Sequence, residues 1–213
     1  GARRFGSVGK PLPGVRIEID KTVEGSKEED GEVLAYGENI MLGYHNLPDK
    51  TKESINEKGG LRTGDLGHLD ADGYLYITGR VKEQYKLENG KYVAPAPLEE
   101  SLKLSAYIDQ VMLYGFNRPH NVALIVAAMP ALEQYAEGLG ISGSAESILN
   151  EPRIRELFKE QLKRYGKDFK GFEHPQNFAL LSEEWGIDNG LLTPTLKLKR
   201  EVVEEQFKTQ IEE

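Results

Sequence analysis

The feature that most limits the possible folds of this chain is a change of pattern at Gly79-Arg80. Just before it, residues 66–69 and 74–78 alternate like strands and are joined by Asp70-Ala71-Asp72-Gly73, whose Asp-Gly ending favours a tight hairpin. After it, apolar strand-like runs alternate with segments of helical spacing. The sequence therefore predicts an α+β fold, with a small antiparallel β subdomain followed by a mixed α/β domain.

Further elements follow from hydrophobic spacing and from turn residues. Strands are expected at residues 14–20 and 32–36, joined by a charged hairpin loop at residues 24–31. Glu99 and Glu100 are expected in the first turn of a helix, where the helix dipole favours negative charge. The other predicted elements are helices at 49–55, 97–104, 131–138, 144–149 and 152–165, strands at 108–114, 122–128 and 177–181, and a last amphipathic helix at 198–211.

Composition argues against several classes of function. The net charge of −8 argues against a nucleic-acid partner, because such binders usually carry a basic field. The chain contains no cysteine, which excludes disulfides, zinc-thiolate sites and cysteine nucleophiles and fits a cytoplasmic location. The four histidines have no metal-ligand spacing, so no metal site is expected. The longest apolar runs are too short to span a bilayer.

Two polar residues near strand ends have a chemistry that suits a ligand site. Asp65 follows Thr63-Gly64, which is expected to form a turn, and a carboxylate can accept hydrogen bonds from both hydroxyls of a vicinal diol. The alternative is that Asp65 caps the turn. Arg80 carries a planar fork of donors that suits oxygen acceptors, and its alternative role is a surface ion pair with Glu83.

Residue chemistry alone does not decide the role of two basic segments. Lys197, Lys199 and Arg200 form a cationic cluster, and such clusters are usually solvated surface. Lys82 and the segment 86–92 form the other, in which Asn89-Gly90 is typical of a hairpin turn. Glycine fits both a positive φ angle and a close approach of a ligand to the backbone.

Taken together, five segments in order resemble the C-terminal region of the adenylate-forming enzymes, and within them the long-chain fatty-acid:CoA ligases. Any one of these segments alone would be a weak signal, whereas their order along the chain is specific. They are residues 6–11 (GSVGKP), 31–51 (GEVLAYGENIMLGYHNLPDKT), 62–66 (RTGDL), 79–99 with its KLENGKYVAP loop, and 192–200 (LTPTLKLKR).

The resemblance implies a domain organisation and a set of substrates. Residues 1–80 would be the last, incomplete β subdomain of a large adenylation domain, and residues 81–213 its C-terminal lid domain. The family's Ser/Thr/Gly-rich phosphate loop does not occur in this sequence, so the chain is expected to be the last third of such an enzyme. The implied ligands are a long-chain fatty acid, ATP or AMP, and CoA, with Mg²⁺ held mainly by the upstream part.

The resemblance also assigns a role to individual residues. Asp65 would accept the ribose hydroxyls of the nucleotide, and Arg80 would contact its ribose or phosphate. Lys197 would be the catalytic lysine that bridges the fatty carboxylate and the α-phosphate during adenylation. Lys82 would be the hinge about which the lid rotates between the two half-reactions.

The resemblance also implies that Lys86 is catalytic in the second pose of the lid, in which the thioester forms. In that pose, Gly90 would let the CoA pantetheine pass close to the backbone. The sequence departs from the family pattern in two places. Leu196 stands before Lys197, where many members have glycine, and the loop ending at Gly90 is one residue longer than in short-loop members.

Three alternative functions are consistent with the sequence. The first is the C-terminal part of an ATP-dependent long-chain fatty acyl-CoA ligase, inactive alone. The second is an adenylating ligase for another acid or for a carrier-protein acceptor. The third is a non-catalytic α+β binding module. Peripheral membrane contact and oligomeric state are left open by the sequence.

Overall fold

A computed structural model describes residues 3–26 and 29–212. They form two compact units, one ending at Gln84 and the other beginning at Tyr85. The predicted boundary lay after residue 80, ahead of the short 3₁₀ helix Val81–Glu83, which the first unit includes. Residues 27 and 28 of the predicted hairpin loop at 24–31 lie outside the described part of the chain.

The first unit is built on a four-stranded antiparallel sheet, as the sequence predicts. Its strands lie in the order β1-β2-β3-β4, so each strand pairs with its neighbour in sequence. A short helix, α1 (Pro48–Ser54), connects the second and third strands. The strands are β1 (Arg16–Asp20), β2 (Gly31–Tyr36), β3 (Leu61–Leu69) and β4 (Leu75–Arg80).

The hairpin between β3 and β4 confirms the prediction from Asp70-Ala71-Asp72-Gly73. The backbone N–H of Gly73 donates to the carbonyl of Asp70 at 3.0 Å, and that of Asp70 donates to Tyr74 at 3.0 Å. The Asp70 carboxylate also accepts from the backbone N–H groups of Asp72 and Tyr74. Gly73 closes the loop with φ +79°, a conformation that glycine adopts without steric cost.

The predicted turn at Thr63-Gly64-Asp65 is wrong, because these residues lie inside β3. β3 pairs with β2 on one side and with β4 on the other, and these ladders hold the segment extended. The positive φ of Gly64, +73°, produces a local irregularity in the strand instead of a reversal of direction.

The second unit contains a two-stranded hairpin and a three-stranded sheet packed with helices. The hairpin consists of β5 (Tyr85–Lys86) and β6 (Tyr92–Val93), and the larger sheet has the order β7-β8-β9. The remaining elements are α2 (Pro95–Leu102), β7 (Ile108–Tyr114), β8 (Asn121–Ala127), α3 (Met129–Gly138), α4 (Ala145–Asn150), α5 (Pro152–Gly166), β9 (Pro175–Leu181), α6 (Arg200–Gln206) and α7 (Lys208–Glu212).

The three-stranded sheet of the second unit is mixed, which confirms the predicted α+β class. β7 and β8 are antiparallel and follow directly in sequence, whereas β8 and β9 are parallel. A parallel pair needs a long crossover, and here helices α3, α4 and α5 supply it.

Both faces of this sheet are covered, so β8 is buried along its whole length. Alternate residues enter different cores, because successive side chains of a strand point to opposite faces. Ile125 packs in one core with Phe158 of α5, and Leu124 packs in the other with Trp185 and Val203. The second core holds the C-terminal segment that carries the predicted catalytic lysine.

Two predicted helices have different bounds in the structure. The helix predicted at 97–104 is α2, which begins at Pro95, so Glu99 and Glu100 lie beyond its first turn. The helix predicted at 198–211 is two short helices, because Phe207 leaves the helical conformation (φ −106°, ψ 24°). The Phe207 ring instead packs near Trp185, with ring centroids 6.4 Å apart. Among the described residues, no helix is both long enough and apolar enough to cross a membrane.

Candidate functional site

In the first unit, the structure brings Asp65 and Arg80 together. The two residues are partners in the register of β3 and β4, and Arg80 Nε lies 3.3 Å from Asp65 Oδ1. Their side chains are 35% and 48% exposed, so both can still reach a ligand. This ion pair, and not one with Glu83, is the contact that the geometry gives Arg80.

The irregular stretch of β3 holds Asp65 at the surface. The Thr63 hydroxyl donates to the carbonyl of Val33 at 2.8 Å and accepts from the backbone N–H of Asp65 at 3.1 Å. A Cβ on Gly64 would lie 3.7 Å from an Arg80 Nη atom. The backbone of Gly64 therefore runs close beside the guanidinium, and its positive φ allows that path.

Lys82, the predicted hinge, lies in the 3₁₀ helix Val81–Glu83 and is exposed. The first unit ends at Gln84, two residues after it. A short helix next to a unit boundary contains few buried contacts that would resist a change of backbone angles. The hinge role of Lys82 remains a prediction.

In the second unit, the β5–β6 hairpin brings Lys86 and Gly90 together. The backbone N–H of Leu87 donates to Lys91 and that of Gly90 donates to Leu87, each at 2.9 Å. The connection is thus a three-residue loop closed by Gly90 at φ +84°, not a two-residue Asn-Gly turn. A Cβ on Gly90 would lie 4.0 Å from Lys86 Cε.

The loop between β7 and β8 supports this hairpin. The N–H of Glu88 donates to the carbonyl of Arg118, and the N–H of Asn117 donates to the carbonyl of Lys86. Leu87 is buried and anchors the loop, while the Lys86 ammonium lies over the Tyr92 ring, 5.3 Å from its centroid. The exposed lysine is therefore presented from a fixed backbone.

At the base of the hairpin, the Tyr85 hydroxyl donates to Asn121 Oδ1 at 2.8 Å. Asn121 is fully buried and donates in turn to the carbonyls of Phe172 and Glu173. Burial, and next the negative charge of Glu99, raise the pKa of the Tyr85 hydroxyl. Tyr85 therefore acts as a neutral donor that fixes the start of the second unit.

Lys197 lies on a different loop of the second unit and is exposed. Leu192 and Leu198 form an isolated β-bridge, and between them Thr193 donates to the carbonyl of Lys197 at 2.8 Å. The Thr193 hydroxyl accepts from the backbone N–H of Lys197 at 3.0 Å. We call residues 193–199 the lysine loop.

Leu196, the residue before Lys197, is held in the left-handed region with φ +59° and is 70% exposed. Within residues 3–26 and 29–212, the other non-glycine residues with positive φ are Asn46 and Asn117, a residue type that tolerates this region. A leucine there is strained, whereas glycine would adopt this conformation without steric cost.

No sequence pattern indicated that Glu99 and Arg200 are partners, yet the structure joins them. Arg200 Nη1 donates to Glu99 Oε1 at 3.0 Å, and its second Nη atom donates to Glu99 Oε2. Glu99 was predicted in the first turn of a helix, and the structure buries it further along α2. Its position between the apolar residues Leu98 and Leu102 was the only hint in the sequence.

The predicted site residues therefore fall into three groups: Asp65 with Arg80, Lys86 with Gly90, and Lys197 on its own loop. Among the described residues, no cluster of three or more histidine, aspartate or glutamate side chains could hold a metal ion. The chemistry that the three groups offer is a carboxylate for hydroxyl donors and cations for oxyanions.

Comparison with known proteins gives this arrangement a context. Residues 82–147 match the family model of the AMP-binding enzyme C-terminal domain. The chain is 35% identical to human long-chain-fatty-acid–CoA ligase 1, over 98% of this chain and 31% of the relative. It is 33% identical to long-chain-fatty-acid–CoA ligase 5 of Mus musculus, over 97% of this chain and 31% of the relative. The chain thus spans about a third of the length of the curated relatives that it matches.

Solved structures show the same fold. The adenylation domain of a carboxylate reductase from Mycobacterium chelonae superimposes with a TM-score of 0.74 and 24% identity, over 95% of this chain and 31% of that one. The O-succinylbenzoate coenzyme A synthetase of Bacillus subtilis, solved with AMP, gives a TM-score of 0.63 and 23% identity, over 93% of this chain and 35% of that one.

Proposed function

We propose that the chain is a C-terminal region of an adenylate-forming enzyme and that it serves an ATP-dependent long-chain fatty acyl-CoA ligase. In the first half-reaction, the fatty carboxylate attacks the α-phosphate of ATP, which gives acyl-adenylate and releases pyrophosphate. In the second, the CoA thiol attacks the acyl carbonyl, which gives acyl-CoA and releases AMP.

The Asp65–Arg80 pair would bind the nucleotide. The Asp65 carboxylate has two oxygens, and each can accept one hydroxyl of the ribose. Arg80 lies beside it and would donate to ribose or phosphate oxygens while neutralising the aspartate. Because both side chains are partly exposed, a nucleotide can reach them without rearrangement of the sheet.

Lys197 would supply the cation for adenylation. Two negatively charged groups, the carboxylate and the α-phosphate, must approach each other in this step. One ammonium with three donors can contact both and reduce their repulsion in the transition state. The exposed position of Lys197 on a hydrogen-bonded loop supports this role.

Lys86 and Gly90 would act in the thioester-forming half-reaction. Gly90 has no Cβ, so a pantetheine chain can pass along the hairpin backbone next to Lys86. Lys82 would be the hinge between the pose that presents Lys197 and the pose that presents this hairpin. Mg²⁺ and most of the adenine and acyl contacts would belong to the upstream part of the enzyme.

The single observation that carries the proposal is the likeness to long-chain-fatty-acid–CoA ligases along nearly the whole chain. A cytoplasmic location is part of the proposal and fits the absence of cysteine. Peripheral contact with a membrane would bring the enzyme to its apolar substrate.

The test compares this 213-residue chain with a longer enzyme that includes it. Both are mixed with ATP, Mg²⁺, a C16 fatty acid and CoA, and AMP release is measured. We expect AMP release from the longer enzyme only, because the chain alone lacks groups to hold both substrates in a reactive geometry. Turnover by the chain alone would contradict the proposal.

The same assay separates the alternatives. Replacing the C16 acid with acetate, an aryl acid or an amino acid tests the acid, and replacing CoA with a carrier protein tests the acceptor. A clear preference for one of these replacements would reassign the substrate within the same family. Adenylation that survives Lys197→Ala in the longer enzyme would instead make this region a non-catalytic binding module.

A further inference from the structure

Glu99 is a buried carboxylate that connects three elements of the second unit. It lies on α2 with its side chain 8% exposed. Its Oε1 atom accepts from the backbone N–H of Leu113 in β7 at 2.7 Å. Both of its oxygens accept from Arg200, the first residue of α6. A buried carboxylate needs such partners, because an unpaired charge in the interior is costly.

Arg200 directly follows the lysine loop in sequence and is anchored by its contact with Glu99. It follows Lys197 by three residues, and 27% of its side chain is exposed. Its contact with Glu99 is bidentate, a geometry that fixes orientation as well as distance. A lysine at the same position could not reproduce the two parallel hydrogen bonds.

The lysine loop itself is held at both ends. Before it, Leu191 is buried and accepts at its carbonyl from the N–H of Lys199 at 2.9 Å. After it, Val203 of α6 is fully buried in the second core. A loop so fixed cannot shift unless its anchors move, and the only charged anchor among those described here is Arg200.

We propose that Glu99 and Arg200 are positioning residues that hold Lys197 in place for adenylation. This inference rests on the proposed function of Lys197. We call the pair the Glu99–Arg200 clasp. Neither residue would touch the substrates. The clasp would fix the distance of the lysine loop from α2 and β7.

The clasp also connects the lysine loop to the hairpin of Lys86 and Gly90. α2 begins at Pro95, one residue after β6, and the Glu99 charge acts on the buried Tyr85 hydroxyl at the base of that hairpin. Both lysine-bearing loops are thereby attached to one support within the second unit. Their relative placement would be conserved when the unit moves as a body.

The first arm of the test needs no catalysis. Amide hydrogen exchange is measured in the 213-residue chain for wild type and for Arg200→Lys. This substitution keeps the positive charge but removes the planar guanidinium that makes two parallel hydrogen bonds. We expect exchange at Thr193, Lys197 and Lys199 to rise about tenfold, and exchange at Ile125 to stay unchanged. Arg153→Lys is the matched control, because Arg153 forms an exposed pair with Glu151 on the same unit.

The second arm uses the longer enzyme and measures fatty-acid-dependent exchange between ATP and pyrophosphate. We expect Arg200→Lys to lower kcat about 10–100-fold with little change in KM for ATP, as for a misplaced catalytic group. Formation of acyl-CoA from added acyl-adenylate should be unchanged. Glu99→Gln should show the same split, and Arg200→Lys decides the matter where Glu99→Gln does not fold.

The outcomes distinguish a failure of the clasp from a failure of the proposed function. Unchanged exchange at the lysine loop in Arg200→Lys overturns the clasp, whatever the assays give. A full adenylation rate in Arg200→Lys, together with loss of rate in Lys197→Ala, overturns the clasp and leaves the proposed function standing. A full rate in Lys197→Ala overturns the proposed function, and with it the positioning role.

Discussion

Asp65 and Arg80 face each other across neighbouring strands, and the Arg80 Nε atom lies 3.3 Å from Asp65 Oδ1. Exposed ion pairs of this kind contribute at most about 1 kcal/mol to stability. Replacing either residue should therefore change ligand binding much more than folding. This separation of effects makes the pair a suitable place to test the proposed nucleotide site.

Asp65→Asn should raise the KM for ATP of the longer enzyme about 10–100-fold. The change removes the negative acceptor for two hydroxyls, and hydrogen bonds to a charged group are worth about 1.5–3 kcal/mol. The thermal midpoint of the 213-residue chain should stay nearly constant. Asp72→Asn is the control, because Asp72 is exposed on the same hairpin, where it pairs with Arg4. An equal effect of the two substitutions would argue against a ribose site at Asp65.

Lys197→Ala should lower the adenylation rate of the longer enzyme about 10²–10³-fold, the loss expected for one donor to a developing oxyanion. Its side chain is exposed, so unfolding by urea should be unaffected. The measurement is fatty-acid-dependent exchange between ATP and pyrophosphate. Lys199→Ala serves as the control on the same loop. Intact adenylation in Lys197→Ala would favour the non-catalytic binding module.

Leu196→Gly should stabilise the 213-residue chain by about 0.5–1 kcal/mol. Leucine at φ +59° has a steric strain of about 1–2 kcal/mol that glycine relieves, and the greater freedom of glycine in the unfolded chain offsets part of the gain. Urea unfolding measures the difference. Leu104→Gly is the control, because Leu104 is exposed to a similar extent without a positive φ. A gain in Leu104→Gly of the same size would point away from backbone strain.

Gly90→Ala should destabilise the chain by about 1 kcal/mol and slow thioester formation. The space beside Gly90 accepts a methyl group, so the cost comes from φ +84° and not from a clash. Gly138→Ala provides the matched control, because Gly138 is the last residue of α3 and a Cβ there meets open space. We expect Gly138→Ala to leave stability equal or higher. Acyl-CoA formation from added acyl-adenylate measures the functional effect.

Stability should fall as the pH rises from about 10 to about 12, partly through Tyr114. Burial, and next a hydrogen bond to Glu204, raise the pKa of Tyr114 to about 12 from an ordinary value near 10. The folded protein therefore keeps a proton that the unfolded chain loses, so this contribution is complete below pH 10 and disappears through pH 12. Tyr114→Phe should show a smaller loss of the urea midpoint between pH 9 and pH 11.5.

Tyr44→Phe, at an exposed position of the first unit, is the control for this pH series. It should retain the wild-type dependence on pH. A Tyr114→Phe curve parallel to wild type would show that the Tyr114 hydroxyl does not contribute to the alkaline loss of stability.

Several features were readable from the sequence because their causes are local. The β3–β4 hairpin follows from Asp70 and Gly73, which supply side-chain acceptors and a positive φ within four residues. Most helices and strands of the second unit follow from apolar spacing. Asp65, Arg80, Lys86, Gly90 and Lys197 were identified from segments of the chain that resemble a family, and their roles remain predictions.

Other features depend on residues that are distant in sequence. Thr63-Gly64-Asp65 was expected to turn, yet strands on both sides keep it extended. Glu99 was expected in the first turn of a helix, and nothing local indicated that it is buried against Arg200, which follows it 101 residues later. No local sequence pattern predicts such a contact, because the free-energy cost of burying a charge depends on the partner that the fold brings to it.

By itself, the sequence determined where most strands, helices and tight loops lie, and its resemblance to a family predicted which residues carry the chemistry of the proposed ligase. The tertiary structure alone decided that Arg80 pairs with Asp65, that Leu196 adopts a left-handed conformation beside Lys197, and that the buried Glu99 pairs with Arg200. The physical reason is the separation along the chain over which each kind of interaction acts. Propensity and turn chemistry act over a few residues, whereas burial, register and charge pairing depend on which distant parts of the chain meet.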